Sequence, residues 1–297
     1  MTASPWGPTD EIGRLNWMTP ASRATALARA DAAEAFDLAV DYFVGMPSWT
    51  VLGDPEYDIW LTHTPEAEGH AYAGTAFKMY SHTGTHICGL NHLGEEGRFW
   101  NDWTPDKELG SRTWEVGGVY PPIIARGVLL DVAGSLGVEC LEESHEISAA
   151  ELEAAGTSRL QHADVAVVRT GRMSRWPDPT TFMDAPPGLG MEAARFLAED
   201  LDVMCIGVDC GGEALPPADP DAFLPVHSYL LARAGVPVFE NLWLEELAAS
   251  DVREFAFLAF PMKLRGSTGA PVRPVALAYG GGGQMEQISK DAGADVR

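Results

Sequence analysis

Apolar residues in this chain fall into short uninterrupted runs, separated by stretches in which they recur at helical spacing. The runs GVLLDVA (127–133), DVAVVRT (164–170), VMCIGVD (203–209), VPVFE (236–240), EFAFLAF (254–260) and PVRPVALAY (271–279) each predict a strand. FDLAVDYFV (36–44) has the aromatic and β-branched content of another. Helices are signalled between them. Thr19-Pro20 reads as an N-cap with proline at the first helical position, opening the alanine-rich ASRATALARADAAEA (21–35). Ser148 and Glu151 form a capping box for a short helix ending near Gly156. EAARFLAED (192–200) and VHSYLLARAG (226–235) are amphipathic.

Strand-like runs alternating with helices predict an α/β chain with a mixed sheet. Gly45, Pro47, Gly53, Pro55 and Pro65 make 45–75 read as a long irregular connection. With no linker-like composition and no repeat, a single domain is expected over 36–280, preceded by an arm and helix at 1–35. The glycine-rich, then polar, end of the chain predicts a poorly ordered tail over 281–297.

Composition narrows the partners. Apolar residues at 46% supply a packed core, while 20 Lys plus Arg against 43 Asp plus Glu give a net charge of −23. That charge repels phosphate backbones and anionic lipid, so neither nucleic acid nor a membrane is an expected partner. The acidic residues are dispersed in pairs such as Glu95-Glu96 and Glu142-Glu143, as on a solvated surface. The first residues lack the apolar core of a secretory signal, and no run is long enough to span a bilayer, which predicts a soluble, cytoplasmic protein. Cys88, Cys140, Cys205 and Cys210 lack paired spacing and are expected to be reduced thiols.

Residues 82–92 read HTGTHICGLNH, with histidines at 82, 86 and 92. Isolated histidines such as His63, His70, His145 and His162 are expected to be satisfied core residues, but three so close together are different. Imidazole is the commonest protein donor to zinc-like ions, and Gly84 and Thr85 disfavour a helix, so the stretch predicts a loop that gathers ligands. A merely hydrogen-bonded loop fits the spacing equally well. Farther on, His227 is placed on the buried edge of its helix by Leu230, Leu231 and Ala234, and Glu240 alternates with Val236 and Val238. A cation would satisfy both. The alternative is that His227 caps the helix start and Glu240 faces solvent.

HTGTHICGLNH resembles the HxGTHxDxPxH motif of the metal-dependent cyclase-like hydrolases, a group that includes bacterial kynurenine formamidase, isatin hydrolase and trans-dienelactone hydrolase. RGVLLDVA (126–133), DVAVVRTG (164–171), VHSYLLARAGVPVFENL (226–242) and LRGSTGAPVRPVALA (264–278) also resemble landmarks of that group, in the same order. The N-terminal EIGRLNWMTP is similar to the start of its longer members. The resemblance implies a swivelling β/β/α cyclase-like fold, usually a homodimer, holding one or two Zn²⁺ or Mn²⁺ ions. It implies His82, His86, His227 and Glu240 as ligands, with Cys88 at the position of a ligating aspartate and His92 as general acid/base. The implied activity is hydrolysis of a small amide, imide, lactone or ester by an activated water. Trp49 and Phe99 are candidates for an aromatic pocket wall.

Two positions depart from the motif: Cys88 replaces the aspartate and Leu90 the proline. A thiolate favours zinc over manganese. Three readings of Cys88 follow: a ligand in a His/His/Cys zinc centre, a protonated bystander to a weaker site, or a covalent nucleophile with His92 as base. Two rival functions remain beside hydrolysis. One is ring-forming or dehydrating biosynthetic chemistry at the same centre. The other is binding of a small molecule without turnover.

Overall fold

Strands covered on both faces need apolar side chains pointing both ways, and the middle of this protein is built from such strands. A computed structural model describes residues 4–30, 34–50, 53–64, 72–104, 120–217 and 222–280. Its strands are β1 (Ala35–Asp37), β2 (Asp58–His63), β3 (Gly74–Lys78), β4 (His86–Cys88), β5 (Ile123–Asp131), β6 (Glu146–Ile147), β7 (Val165–Arg169), β8 (Gly188–Leu189), β9 (Cys205–Val208), β10 (Val238–Glu240), β11 (Glu254–Ala259), β12 (Gly269–Pro271) and β13 (Val275–Ala278). Nine of them form one mixed sheet in the order β1-β13-β11-β5-β7-β9-β10-β4-β12. Its centre, β5-β7-β9-β10, is parallel, and the strands outside it pair antiparallel.

Alternation divides the core into two layers. Val128, Leu130, Ala166, Val168, Ile206 and Val208 pack on one face with the helices Ala149–Ala155 and Met191–Arg195. Leu129, Val165, Val167, Cys205 and Phe239 pack on the other, with Phe255 and Phe257. This is the α/β, mixed-sheet, single-domain architecture that the alternating pattern predicts. The capping box is formed: Ser148 Oγ accepts from Glu151 N, and Glu151 accepts from Ser148 N. Gly156 closes the helix at φ +111°, a left-handed conformation suited to glycine.

Several local expectations are corrected by long-range pairing. The helix opened by Thr19 ends at Ala28, short of 35, because Ala35 is already paired with Leu277. Strand 36–44 shrinks to β1, where the partner β13 runs out. The stretch 45–75 is not irregular throughout: it contains β2 and the start of β3, which pair antiparallel and leave Ile59, Trp60, Leu61 and Phe77 exposed. PVRPVALAY does not form one strand: Pro271 ends β12, an edge strand that tolerates it, and Val275–Ala278 form β13, which lies towards the far side of the sheet between β1 and β11. The tail over 281–297 lies outside the described residues. Among the described residues no helix is long and apolar enough to cross a membrane.

Candidate metal centre

The histidine stretch is only partly a loop. His86, Ile87 and Cys88 form β4, held between β10 and β12 and antiparallel to both. Side chains two apart on a strand point the same way, so His86 and Cys88 share one face. The register sets His86 opposite Glu240 and Cys88 opposite Val238, which brings the Glu240 carboxylate onto that face.

His82 arrives from the turn before β4, and that turn is tied down. Gly84 has φ +61°, and a Cβ there would come within 2.9 Å of the Tyr42 ring, so both space and conformation require glycine. Thr85 Oγ1 donates to the Asn241 carbonyl at 2.7 Å and accepts from Val40 N at 3.0 Å. Asn241 Nδ2 donates to the Gly84 carbonyl at 3.0 Å. A Cβ on Gly269, opposite Cys88, would lie 2.5 Å from His82 Cε1, so the bare backbone there makes room for the imidazole.

Cys88 Sγ lies 3.3 Å from His82 Nδ1 and 3.4 Å from His86 Nε2, and the donor atoms of all three residues fall within 4.8 Å of one another. Glu240 adds Oε1 at 3.5 Å from Cys88 Sγ and Oε2 at 3.5 Å from His86 Nε2. With Zn–S ~2.3 Å and Zn–N ~2.0–2.1 Å, tetrahedral geometry separates sulfur and nitrogen donors by about 3.6 Å. These residues therefore fit a zinc-sized cation with little movement. All four are buried, so the donors are withheld from bulk water.

The far nitrogen of each imidazole is occupied, which fixes the direction of the near one. His86 Nδ1 donates to the Gly84 carbonyl at 2.8 Å. His82 Nε2 meets Thr268 Oγ1 at 2.9 Å. His227 Nδ1 lies 2.6 Å from Glu213 Oε2 and its Nε2 2.6 Å from Glu240 Oε1. With a carboxylate on each side, each His227 nitrogen has an acceptor to donate to, which favours the imidazolium form. Burial alone would lower its pKa, but the hydrogen bonds to Glu213 and Glu240 raise it. Burial would raise the Glu240 carboxyl, and the hydrogen bond and charge of His227 hold it low instead. Burial, then the Glu240 charge, push the Cys88 thiol well above its ordinary range. Both His227 and Glu240 are buried, which removes the solvent-facing alternative for this pair.

His92 stacks on His82 with ring centroids 3.7 Å apart and an interplanar angle of 21°. Burial pushes its pKa down to about 3, so the ring is neutral near pH 7. The sequence profile of the Cyclase family, described as "Putative cyclase", matches residues 36–212.

The chain belongs to the cyclase family. The match covers His82, His86, Cys88 and His92 and stops short of His227 and Glu240. A crystal structure described as a novel cyclase has a TM-score of 0.78 and 25% identity, covering 92% of this cyclase-family chain and 95% of its own. Isatin hydrolase A from Ralstonia solanacearum is similar in fold, with a TM-score of 0.63 and 22% identity over 88% of this chain and 98% of that one. A predicted metal-dependent hydrolase from Bacillus stearothermophilus shares the fold at a TM-score of 0.52 and 20% identity, over 82% and 97%. No curated protein matches the sequence.

Other residues singled out in this cyclase-family chain lie as follows. Trp49 packs against Gly211, beside Gly212 and His227. Phe99 pairs with Trp103, centroids 6.0 Å apart, in the segment after His92. The expectation of core histidines is corrected: His63 and His162 are exposed, against Tyr72 and Trp17, and half-buried His145 pairs with Glu151 at 2.8 Å. His70 lies outside the described residues. Sequence reasoning missed Glu213 and Thr268, whose only signal is position in glycine-bearing segments, GGE and STG.

Proposed function

We propose that this protein is a metal-dependent hydrolase that cleaves a small amide, imide, lactone or ester with water as the nucleophile. The observation that carries the reading is the convergence of His82, His86 and Cys88 at donor-to-donor distances suited to one cation, with Glu240 and His227 adjoining. When bound there, a divalent cation supplies Lewis acidity, polarising a carbonyl and acidifying water. His82, His86, Cys88, Glu240 and His227 are the residues that would hold it. Cys88 favours zinc over manganese, because a thiolate is the softer donor.

The remaining steps belong to side chains of the chain itself. His92, held face to face with His82, is the residue placed to take the proton from the attacking water. It then returns that proton to the departing nitrogen or oxygen. The buried Cys88 has no role as a nucleophile in this scheme, because burial keeps a free thiol protonated. Trp49, against Gly211, offers an aromatic surface to a flat acyl group. Likeness to isatin hydrolases supports an aromatic lactam or related amide among the substrates. The four free cysteines suit a reducing, cytoplasmic setting, and a homodimer is the expected assembly.

Metal analysis of protein purified without added zinc tests the reading, with about one zinc per chain expected. Less than ~0.1 metal per chain, with hydrolysis of a panel of N-formyl aromatic amines, cyclic imides and lactones unaffected by chelators, overturns it. Cys88 also favours a second reading, a small-molecule binder that has lost turnover. Activity on that panel found only in Cys88→Asp establishes this alternative.

A further inference from the structure

Glu213 has the environment of a group placed for another residue's sake. It is 1% exposed, and its Oε2 accepts both from the His227 backbone N at 2.8 Å and from His227 Nδ1 at 2.6 Å. Its Oε1 is buried with no hydrogen-bond partner. A buried carboxylate is costly unless its oxygens are satisfied, and here one is left bare while the other is committed twice to a single residue. The backbone around it has no slack. A Cβ on Gly188 would lie 2.3 Å from the Glu213 carbonyl carbon, and a Cβ on Gly212 would lie 2.6 Å from His227 Cε1. The carboxylate and the imidazole are thus seated together by glycines on either side.

We propose that Glu213 is the positioning residue of the metal centre, aiming His227 Nε2 at the ligand cluster and making that nitrogen the strongest imidazole donor of the set. The inference rests on the metal-hydrolase reading above. A carboxylate on the far nitrogen fixes the tautomer and the ring plane and raises donor basicity, effects worth ~10–100-fold in metal affinity. The partners of the other two ligand imidazoles are weaker: a backbone carbonyl for His86 and a threonine hydroxyl for His82. Of the three, only His227 has a full negative charge behind it, and its near nitrogen faces Glu240, which it contacts at 2.6 Å.

The test compares wild type, Glu213→Gln and Glu213→Ala by competition for zinc against a chromophoric chelator, by the absorption spectrum after cobalt(II) loading, and by thermal melting. Glu213→Ala is expected to lose ~10–100-fold in zinc affinity and to shift the cobalt spectrum. Glu213→Gln, whose amide oxygen still accepts from Nδ1, is expected to lose less, about three- to tenfold. A merely structural residue would change the melting temperature and leave the folded protein's affinity and spectrum alone. Wild-type affinity and spectrum in Glu213→Ala overturn the proposal. If that variant does not fold, wild-type affinity and spectrum in Glu213→Gln overturn it equally. Wild-type protein that takes up neither zinc nor cobalt overturns the metal reading itself, a result distinct from an unaltered variant.

Discussion

Substituting Gly212 with alanine separates backbone strain from damage to the site. Gly212 holds φ at +83°, and the added methyl would lie 2.6 Å from His227 Cε1 and 2.7 Å from His227 Nε2. Carbon contacts are comfortable at ~3.5–4.0 Å, so the imidazole must retreat by roughly 1 Å. Gly137 provides the control: its φ of +71° is similar, and a Cβ there meets nothing within 4 Å. Left-handed backbone costs a non-glycine residue ~1–2 kcal/mol, so Gly137→Ala should lower the melting temperature by about 2–8 °C and leave metal binding untouched. Gly212→Ala carries that strain and also pushes His227 off Glu240. A displacement near 1 Å at a reacting centre costs about 100-fold in rate, so kcat/KM should fall by that factor while the folded variant shows weakened zinc retention. The assays are differential scanning calorimetry, zinc competition and steady-state kinetics on both variants. If Gly212→Ala matches Gly137→Ala in all three, His227 is not packed against residue 212 in the way that places it beside Glu240.

Zinc uptake by the metal-free protein should release about two protons, one from the Cys88 thiol and one from the His227 imidazolium, because both are held protonated by their surroundings. Calorimetry in buffers of different ionisation enthalpy counts them, and Cys88→Asp should release one fewer; equal counts argue against Cys88 as a ligand. Cys88→Asp should also raise manganese occupancy relative to zinc when protein is loaded from an equimolar mixture, read by mass spectrometry of the metals. Ser148→Ala removes an N-cap and should cost ~1 kcal/mol, a fall of about 2–4 °C in melting temperature. Burial would raise the Glu151 pKa, but hydrogen bonds from Ser148 and His145 bring it below the ordinary 4.5. Its contribution to stability is therefore present above about pH 4.5 and is lost as pH falls through the lowered value. The melting gap between wild type and Glu151→Gln should close on acidification, and a gap that widens contradicts the assignment.

The sequence determined those features whose causes lie within a few neighbouring residues. The helix from Ser148 to Gly156 was legible because its cap, its returning glutamate and its terminating glycine are all local. The central strands were legible because burial on both faces demands unbroken apolar runs, as in Val165–Arg169 and Cys205–Val208. The spacing of His86 and Cys88 already placed them on one face of any extended segment. What the sequence could not settle was which distant backbone would make that segment a strand. β4 exists because β10 and β12, more than a hundred residues downstream, pair with it, and that same register puts Glu240 opposite His86. Glu213 and Thr268 were invisible for the same reason: neither has any local pattern that points to a histidine. Their contacts arise only when loops far apart in the chain are brought over one sheet face, where burial leaves each imidazole needing a partner for its second nitrogen.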